Sequence, residues 1–163
     1  MVEPGVHPRF SPAGRRATEP LVVSVGRLTI SKRVDVLIRA FAEARKRVTG
    51  LRLEVIGDGA ERASLRALAA DQGVADAVVF RGRISDDDLV EAYRRARLVV
   101  SASISEGWGM TLTEGAACGT PAVATDIVGH RDAVDAGRSG LLAADDSAPV
   151  SYTHLTLPTI LLV

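Results

Sequence analysis

The chain has 163 residues, of which 47% are hydrophobic and 25% are charged, as expected for one globular domain. Its 20 basic and 20 acidic side chains cancel, so no net charge attracts it to nucleic acid or anionic lipid. A single cysteine, Cys118, excludes an internal disulfide and a multi-thiolate zinc site, and it fits a reducing compartment. Neither the N-terminus nor the uncharged stretch 147–163 has the composition of a signal peptide or a membrane span. We therefore expect a soluble, intracellular domain.

The first 20 residues contain four of the seven prolines: Pro4, Pro8, Pro12 and Pro20. Proline fixes φ and lacks the backbone N–H, so this composition is typical of an extended linker. We therefore interpret residues 1–20 as a linker and expect the folded domain to begin at Leu21.

Five short β-branched runs then predict strands: residues 21–25, 51–56, 77–80, 97–102 and 121–125. The runs are apolar almost throughout, which is typical of parallel strands that helices cover on both faces. Between them, apolar residues recur at helical spacing over 34–48, 65–69 and 89–96. Ser85 and the three aspartates after it predict a capped helix start rather than a metal site. This alternation predicts an α/β fold, a Rossmann-like doubly wound parallel sheet over residues 21–146.

The last 17 residues, 147–163, differ in texture from the rest of the chain. They contain no Asp, Glu, Lys or Arg, and SYTHLTLPTILLV has neither a helical nor a clean strand period. The segment also resembles translated sequencing-adapter tails. We predict that it is atypical and non-native; the alternative is an authentic C-terminal strand.

The loop after the first predicted strand, GRLTISKR, places two cations at the carboxyl edge of the sheet. It is not the G-x-G-x-x-G turn of dinucleotide-binding folds. Gly26 permits a tight turn, and Arg27 and Lys32 suit a diphosphate, one as a fork and the other as a point charge. The alternative is a pair of solvated loop charges.

The segment SASISEGWGMTLTEGAACGTP, residues 101–121, contains a second candidate anion site. Gly107 and Gly109 flank Trp108 just before a helix that we expect to begin near Met110. The N–H groups of Met110, Thr111 and Leu112 would then face the ligand as the free donors of a helix N-terminus.

Two carboxylates flank this anion site. Glu106 lies on the loop side, and Glu114 lies one turn into the predicted helix. A carboxylate can accept two hydrogen bonds from a vicinal diol, so the pair matches a phosphate ligand with a hydroxyl-rich group on each side. A nucleoside diphosphate sugar is such a ligand. The alternatives are an exposed Glu106 and a Glu114 that only favours the helix dipole.

Other candidate residues have simpler interpretations. Trp108 is equally suited to stacking on a sugar and to anchoring the core, and Cys118 is expected to be a small buried hydrophobe. His7, His130 and His154 share no metal-ligand spacing, and an isolated histidine is more often a surface residue. Asp58 could imitate the ribose-binding acid of an NAD fold, but no G-x-G-x-x-G turn precedes it.

The spacing Glu106-x7-Glu114 resembles the E-x7-E signature of the "glycosyl transferases group 1" family, retaining enzymes of the GT-B type with two Rossmann domains. Five further segments resemble family segments in order: VEPGVHPRFSP, GRLTISKRVDVLIRAF, VIGDGAERASL, VVFRGRIS and GHRDAVDAGRSGLL. The similarity covers about residues 4–143. It has four departures: Arg33 and His130 replace glycines, Ala60 replaces a proline, and Asp132 replaces a glutamate.

The resemblance implies a role for each matching residue. Arg27 and Lys32, after the turn at Gly26, would hold the donor pyrophosphate together with the backbone of Thr111 and Leu112. Glu114 would bind the ribose, while Arg83 and Ile84 would meet the base, Ile84 through its backbone. Glu106 would orient the transferred sugar, with the backbone of Gly107, Trp108, Gly109 and Met110. Glu106, Arg27 and Lys32 would thus be the catalytic residues.

The resemblance also implies a mechanism and partners. The family transfers a sugar from a nucleotide sugar with retention, and needs no protein nucleophile, metal or cofactor. The acceptor, which could be a glycan, a lipid or a small molecule, binds to an N-terminal Rossmann domain that this chain lacks. We therefore expect residues 1–20 to be an interdomain linker and this fragment to be inactive alone. We therefore expect a cytoplasmic location; peripheral contact of the full-length enzyme with the inner membrane face is an open alternative.

Two other functions remain open. A non-catalytic nucleotide-binding module would not need both carboxylates at the E-x7-E spacing. An NAD-dependent oxidoreductase would need the glycine-rich turn that GRLTISKR lacks.

Overall fold

The structure is a computed structural model that describes residues 5–143, so the tail 147–163 and its interpretation lie outside the described residues. Six parallel strands form one sheet in this range: β1 Leu21–Val25, β2 Arg52–Ile56, β3 Val78–Gly82, β4 Leu98–Ser101, β5 Ala122–Thr125 and β6 Gly140–Ala143. The helices are α1 Val34–Arg45, α2 Arg62–Asp71, α3 Asp86–Arg95, α4 Met110–Ala117 and α5 Val128–Arg131. The predicted Rossmann-like α/β fold is confirmed.

The strand order is β3-β2-β1-β4-β5-β6. The chain builds the sheet outward from β1 to β3, then returns and builds the other half from β4 to β6. The order therefore reverses between β1 and β4, and the loops after these two strands lie side by side. Ligands of open α/β sheets bind at this kind of switch point, outside the carboxyl ends of the strands.

The core consists of two apolar clusters, one on each face of the sheet. Successive residues of β1 pack into different clusters: Val22 packs with α1 and α2, whereas Leu21 and Val23 pack with α3 and α4. Phe41 and Tyr93 fill the two sides and are fully buried. Because both faces of β1 are covered, its residues show no polar alternation, as the sequence predicted.

The five predicted strands are all present, with ends shifted by up to two residues, but β6 and α5 were not predicted. Each of these two elements has four residues. That is too few to show a helical period or a clear strand alternation. Helix α5 matters because it supports the loop that contains Glu106.

The backbone at Arg33 shows why the family that the sequence resembles has glycine at this position. Arg33 has φ 48°, and among residues 5–143 no other non-glycine residue has a left-handed backbone. It follows a 3-10 turn, Ile30–Lys32, and caps the N-terminus of α1. The family has glycine here, and glycine adopts this conformation without the Cβ clash that other residues pay for.

Residues 5–20 contain no helix or strand, yet they pack along α3 and α4. Arg16 donates to the carbonyl oxygens of Ala96 and Gly119, both at 2.5 Å. The ring of Phe10 meets the edge of Tyr93 with centroids 6.0 Å apart. In the part of the chain that the structure describes, no helix has the length and apolar character needed to cross a membrane.

Candidate functional site

An open cavity of about 820 Å³ lies at the carboxyl edge of the sheet, between the loops after β1, β2 and β3. Four predicted site residues line it: Gly26, Arg27, Arg83 and Ile84. The other lining residues are Val25, Thr29, Ile56, Gly57, Asp58, Gly59 and Leu89. Neither Glu106 nor Glu114 lines this cavity. The predicted site residues therefore lie in two neighbouring regions of the carboxyl edge, one at this cavity and one after β4.

The cavity floor is built by close contact between two backbone loops. Gly26 N–H donates to the carbonyl of Ile56 at 3.0 Å, and Leu28 N–H donates to that of Asp58 at 2.9 Å. Gly57 has φ 125°, and a Cβ there would lie 1.9 Å from the carbonyl oxygen of Gly26. Sequence analysis gave Gly57 no site role, although the G-x-G within VIGDGAERASL was the signal for it.

The cavity wall presents positive charge that the protein does not neutralise. The side chains of Arg27 and Arg83 are exposed and make no hydrogen bond or ion pair within residues 5–143. Asp58, the acidic residue of the lining, is engaged by Arg62 at 3.6 Å. Two guanidinium groups with available N–H donors suit a phosphate-bearing ligand.

A second, far smaller space of about 10 Å³, the narrow cleft, adjoins the cavity on the side of the switch point. It shares Gly26 and Arg27 with the cavity and continues to Lys32, Ser101 and Ser103. At its end, Lys32 Nζ donates to Glu106 Oε1 in an ion pair. Ser103 Oγ donates to the same oxygen at 2.8 Å. The structure therefore joins Lys32 and Glu106, to which the sequence analysis gave separate roles.

The start of α4 corrects one prediction. Two of the three N–H groups expected to be free are engaged: Met110 donates to the carbonyl of Trp108 at 2.7 Å, and Leu112 donates to that of Gly109 at 2.9 Å. The turn at Gly109 is tight enough for the chain to satisfy these donors locally. Thr111 N–H makes no hydrogen bond within residues 5–143 and remains the available donor.

The loop before α4 is partly open. Gly107 is exposed, and Trp108 is partly buried, with an indole N–H that is buried and has no partner within residues 5–143. Gly109 is buried against Ala133 and His130. Trp108 thus fits neither a free stacking platform nor a fully buried core anchor.

Glu114 lies on α4, where Tyr93 Oη donates to its Oε2 at 2.9 Å. Burial raises the pKa of Glu114 above its ordinary value, while the hydrogen bond from Tyr93 acts in the opposite direction. Burial and the neighbouring Glu114 charge also raise the pKa of Tyr93, which therefore stays a hydrogen-bond donor. This carboxylate is partly desolvated and has one protein partner.

His130 corrects a second prediction. It was expected at the surface, but it is 0% exposed and lies in α5, packed beneath the loop that leads to α4. Its Nδ1 is 2.8 Å from the carbonyl oxygen of Thr125. Burial lowers the pKa of His130, so the imidazole is neutral at neutral pH. The cause of the error is α5 itself, which the sequence did not reveal.

The expectations for His7, for Cys118 and for the acidic triplet after Ser85 are confirmed. His7 is exposed, and Cys118 is 5% exposed at the C-terminus of α4; His154 lies outside the described residues. Ser85 Oγ accepts from the N–H of Asp88 at 3.1 Å, so the acidic triplet is a helix cap. Among residues 5–143, no group of three or more His, Cys, Asp or Glu side chains could hold a metal ion.

The sequence matches the description "Glycosyl transferases group 1" over residues 9–151. The chain belongs to the glycosyl transferases group 1 family. It is 41% identical over 171 residues to the D-inositol 3-phosphate glycosyltransferase of Acidothermus cellulolyticus. That match covers 93% of this chain and 38% of the relative, so the chain spans little more than a third of its length.

Solved structures of other transferases share the fold. The pneumococcal O-GlcNAc transferase GtfA, in complex with UDP and GlcNAc, superposes with a TM-score of 0.84 at 23% identity, over 92% of this chain and 31% of that one. The C-terminal domain of a glycosyl transferase group 1 family protein, LpcC of Francisella tularensis, gives 0.81 at 21% identity, over 93% of this chain and 85% of that one. This glycosyl transferases group 1 chain therefore has the fold of a GT-B C-terminal domain.

Proposed function

We propose that this chain is the donor-binding domain of a retaining glycosyltransferase. It binds a nucleoside diphosphate sugar, and the acceptor binds to an N-terminal domain of the complete enzyme. The observation that carries the proposal is the cavity with two guanidinium groups, Arg27 and Arg83, that have no partner within residues 5–143, next to Lys32. The UDP and GlcNAc named with GtfA support the ligand class, and the name of the Acidothermus relative supports glycosyl transfer.

The diphosphate is held where the cavity meets the narrow cleft. Arg27 lines both and offers a planar fork of donors. Lys32 has three N–H donors and uses one on Glu106, so it can bind a phosphate oxygen without releasing that carboxylate. The N–H of Thr111, which has no partner within residues 5–143, completes the anion site at the start of α4.

The nucleoside and the sugar lie on opposite sides of the diphosphate. Arg83 and the backbone of Ile84 meet the base in the cavity. Glu114 accepts hydrogen bonds from the ribose, using the oxygen that Tyr93 leaves available. Glu106 orients the sugar, together with the backbone of Gly107 and Trp108; the N–H groups of Gly109 and Met110 are engaged within the protein.

Catalysis in this proposal is electrostatic. Arg27 and Lys32 stabilise the charge that develops on the departing diphosphate. The acceptor attacks from the face that the leaving group departs from, and the leaving phosphate takes the acceptor proton, so configuration is retained. These cations supply the positive charge that the leaving group needs, so the proposal includes no metal and no cofactor.

The proposed domain comprises residues 21–146, and residues 1–20 form an interdomain linker. Support comes from the packing of residues 5–20 along α3 and α4 without a strand or helix of their own. We place the enzyme in the cytoplasm, because Cys118 of this chain is unpaired and buried. Peripheral contact of the complete enzyme with the inner membrane face is compatible with this location.

Titration calorimetry of the 163-residue chain with UDP and with UMP tests this function. We expect UDP to bind more tightly, because the cations act mainly on the second phosphate. Equal affinities for UDP and UMP would contradict the diphosphate site. Tighter binding of NAD than of UDP would favour the oxidoreductase hypothesis instead. The chain alone is expected to transfer no sugar, and transfer by it would contradict the role given to a second domain.

A further inference from the structure

The fully buried imidazole of His130 has two partners at the ends of two strands. Its Nδ1 lies 2.8 Å from the carbonyl oxygen of Thr125, at the end of β5. A carbonyl oxygen can only accept, so Nδ1 carries the proton of the neutral ring. Its Nε2 is therefore an acceptor, and it lies 3.2 Å from Ser101 Oγ, at the end of β4.

These strand ends also hold the residues that contact Glu106. Thr125 Oγ1 donates to the carbonyl oxygen of Ser103 at 2.5 Å. Ser103 Oγ in turn donates to Glu106 Oε1 at 2.8 Å and lies 3.3 Å from Ser101 Oγ. Because His130 Nε2 accepts the one hydroxyl proton of Ser101, Ser101 only packs beside Ser103, and the hydrogen bond from Thr125 holds Ser103 in place. His130 thus contacts Thr125, which holds Ser103, and Ser101, which packs next to it.

Helix α5 supports the same loop through its backbone. Gly109 N–H donates to the carbonyl oxygen of Gly129 at 3.0 Å. A Cβ on Gly129 would lie 2.3 Å from the carbonyl oxygen of Glu106, so the helix and the loop are in direct contact. A Cβ on Gly109 would lie 3.3 Å from His130 Cδ2. The loop has little freedom to move unless α5 moves with it.

We propose that His130 is a positioning residue for Glu106: by joining the ends of β4 and β5 through Ser101 and Thr125, it keeps the Glu106 carboxylate on Lys32 and aimed at the donor sugar. This inference rests on the proposed function for its sugar-binding consequence, but the positioning itself concerns the protein without ligand. His130 lines neither the cavity nor the cleft and acts only through its neighbours.

Two substitutions separate the contacts of His130. His130→Asn keeps a donor that can reach Thr125 but removes the acceptor for Ser101. Ser101→Ala removes the same link from the other side and leaves the imidazole in place, so it remains informative if the buried His130→Asn chain does not fold. His7→Asn is the matched control, because it makes the same change at an exposed histidine.

The first measurement uses no ligand. The 13C signal of the Glu106 carboxylate, assigned by its loss in Glu106→Gln, should shift in His130→Asn and in Ser101→Ala but not in His7→Asn. An unchanged signal in both of the first two variants would overturn the positioning role, whatever the chain binds.

The second measurement compares the affinities for UDP and for UDP-N-acetylglucosamine. The ratio of the two dissociation constants should change by roughly 2- to 10-fold in His130→Asn and in Ser101→Ala, the usual effect of one hydrogen bond. The affinity for UDP itself should stay the same in His130→Asn, because His130 lines neither the cavity nor the cleft. Equal losses for both ligands would mean that His130 only supports the fold, and would overturn the proposal. Failure of the unmodified chain to bind UDP would contradict the proposed function, while the carboxylate signal would still decide the role of His130.

Discussion

The two halves of the sheet's carboxyl edge are built in different ways. The half after β1, β2 and β3 is open: its floor is backbone, and the guanidinium groups of Arg27 and Arg83 make no hydrogen bond or ion pair within residues 5–143. The half after β4 and β5 is filled, because Glu106, Ser103 and His130 are tied together and to Lys32. In the proposed function the open half receives the base and the diphosphate, while Glu106 in the filled half orients the sugar and Glu114 on α4 binds the ribose. Binding needs accessible charge, whereas orientation needs a side chain with little freedom to move.

The halves also differ in what their glycines do. In the open half, Gly57 lets one backbone approach another, and no side chain fits at that position. In the loop of the filled half, a Cβ on Gly107 would meet nothing within 4 Å. Substitutions in the two loops should therefore have very different effects on stability.

The largest expected effect is that of Gly57→Ala. The new Cβ would lie 1.9 Å from the carbonyl oxygen of Gly26, at a φ of 125° that alanine rarely adopts. The free energy of unfolding in urea should fall by about 3 kcal/mol, since steric overlap and backbone strain add. Gly107→Ala is the control and should change it by at most about 0.5 kcal/mol. Similar losses in both variants would mean that the two loops are equally constrained.

The second effect concerns the cations of the open half. Arg27→Gln should weaken UDP binding by about 1.5–3 kcal/mol, because a charge-assisted hydrogen bond to phosphate is lost. Calorimetry at fixed ionic strength measures this. Arg39→Gln is the control, since it removes the same charge from an exposed position on α1. Equal losses would show that only the general field of the chain, and not a site, attracts the nucleotide.

The open half was the easier half to predict from the sequence. Gly26, Arg27, Arg83 and Ile84 follow directly after predicted strands, so the parallel sheet alone places them at one edge. The filled half depends on contacts between residues far apart in the chain. The ion pair of Lys32 with Glu106 joins positions 74 residues apart, and no local pattern announces it.

The errors have the same physical origin. His130 appeared to be a surface residue because α5 is too short to show a period, and its burial arises only when α5 packs beneath the loop before α4. The N–H groups of Met110 and Leu112 were expected to be free because the tight turn at Gly109 cannot be inferred from composition. The roles assigned to Glu106 and Glu114 stay predictions.

The third effect separates these two carboxylates. Glu114→Gln should weaken the binding of UDP and of UDP-N-acetylglucosamine alike, by about 1–3 kcal/mol for the lost charged partner of the ribose. Glu106→Gln should leave the affinity for UDP nearly unchanged. Paired titrations measure both. Equal weakening of UDP in the two variants would contradict the assignment of Glu114 to the ribose and of Glu106 to the sugar.

Glu114→Gln should also stabilise the protein without ligand at neutral pH. Burial raises the folded-state pKa of Glu114 above its ordinary value of 4.5, so the ionised carboxylate destabilises the fold. This cost is fully present above the folded-state pKa, shrinks as the pH falls through that pKa, and vanishes only well below 4.5, where the group is protonated in both states. Urea unfolding at pH 7.5 and at about pH 3.5 should show the gain only at the higher pH. A gain of equal size at both would point to packing instead.

The smallest effect sharpens the comparison within the open half itself. Arg33 holds a left-handed backbone, φ 48°, at the start of α1, and glycine should relieve about 1 kcal/mol of this strain. Part of this gain is offset, because the substitution removes the ion pair of Arg33 with Asp35 at 3.1 Å. Both side chains are partly exposed, so the loss of the pair costs only a few tenths of a kcal/mol, about 0.5 at most. Arg33→Gly should therefore raise the free energy of unfolding by about 0.5 kcal/mol. Arg39→Gly, the same substitution inside α1, should lower it by about 1 kcal/mol. If both variants are destabilised equally, the backbone of Arg33 is not strained, and the arginine here costs the fold nothing relative to the family's glycine.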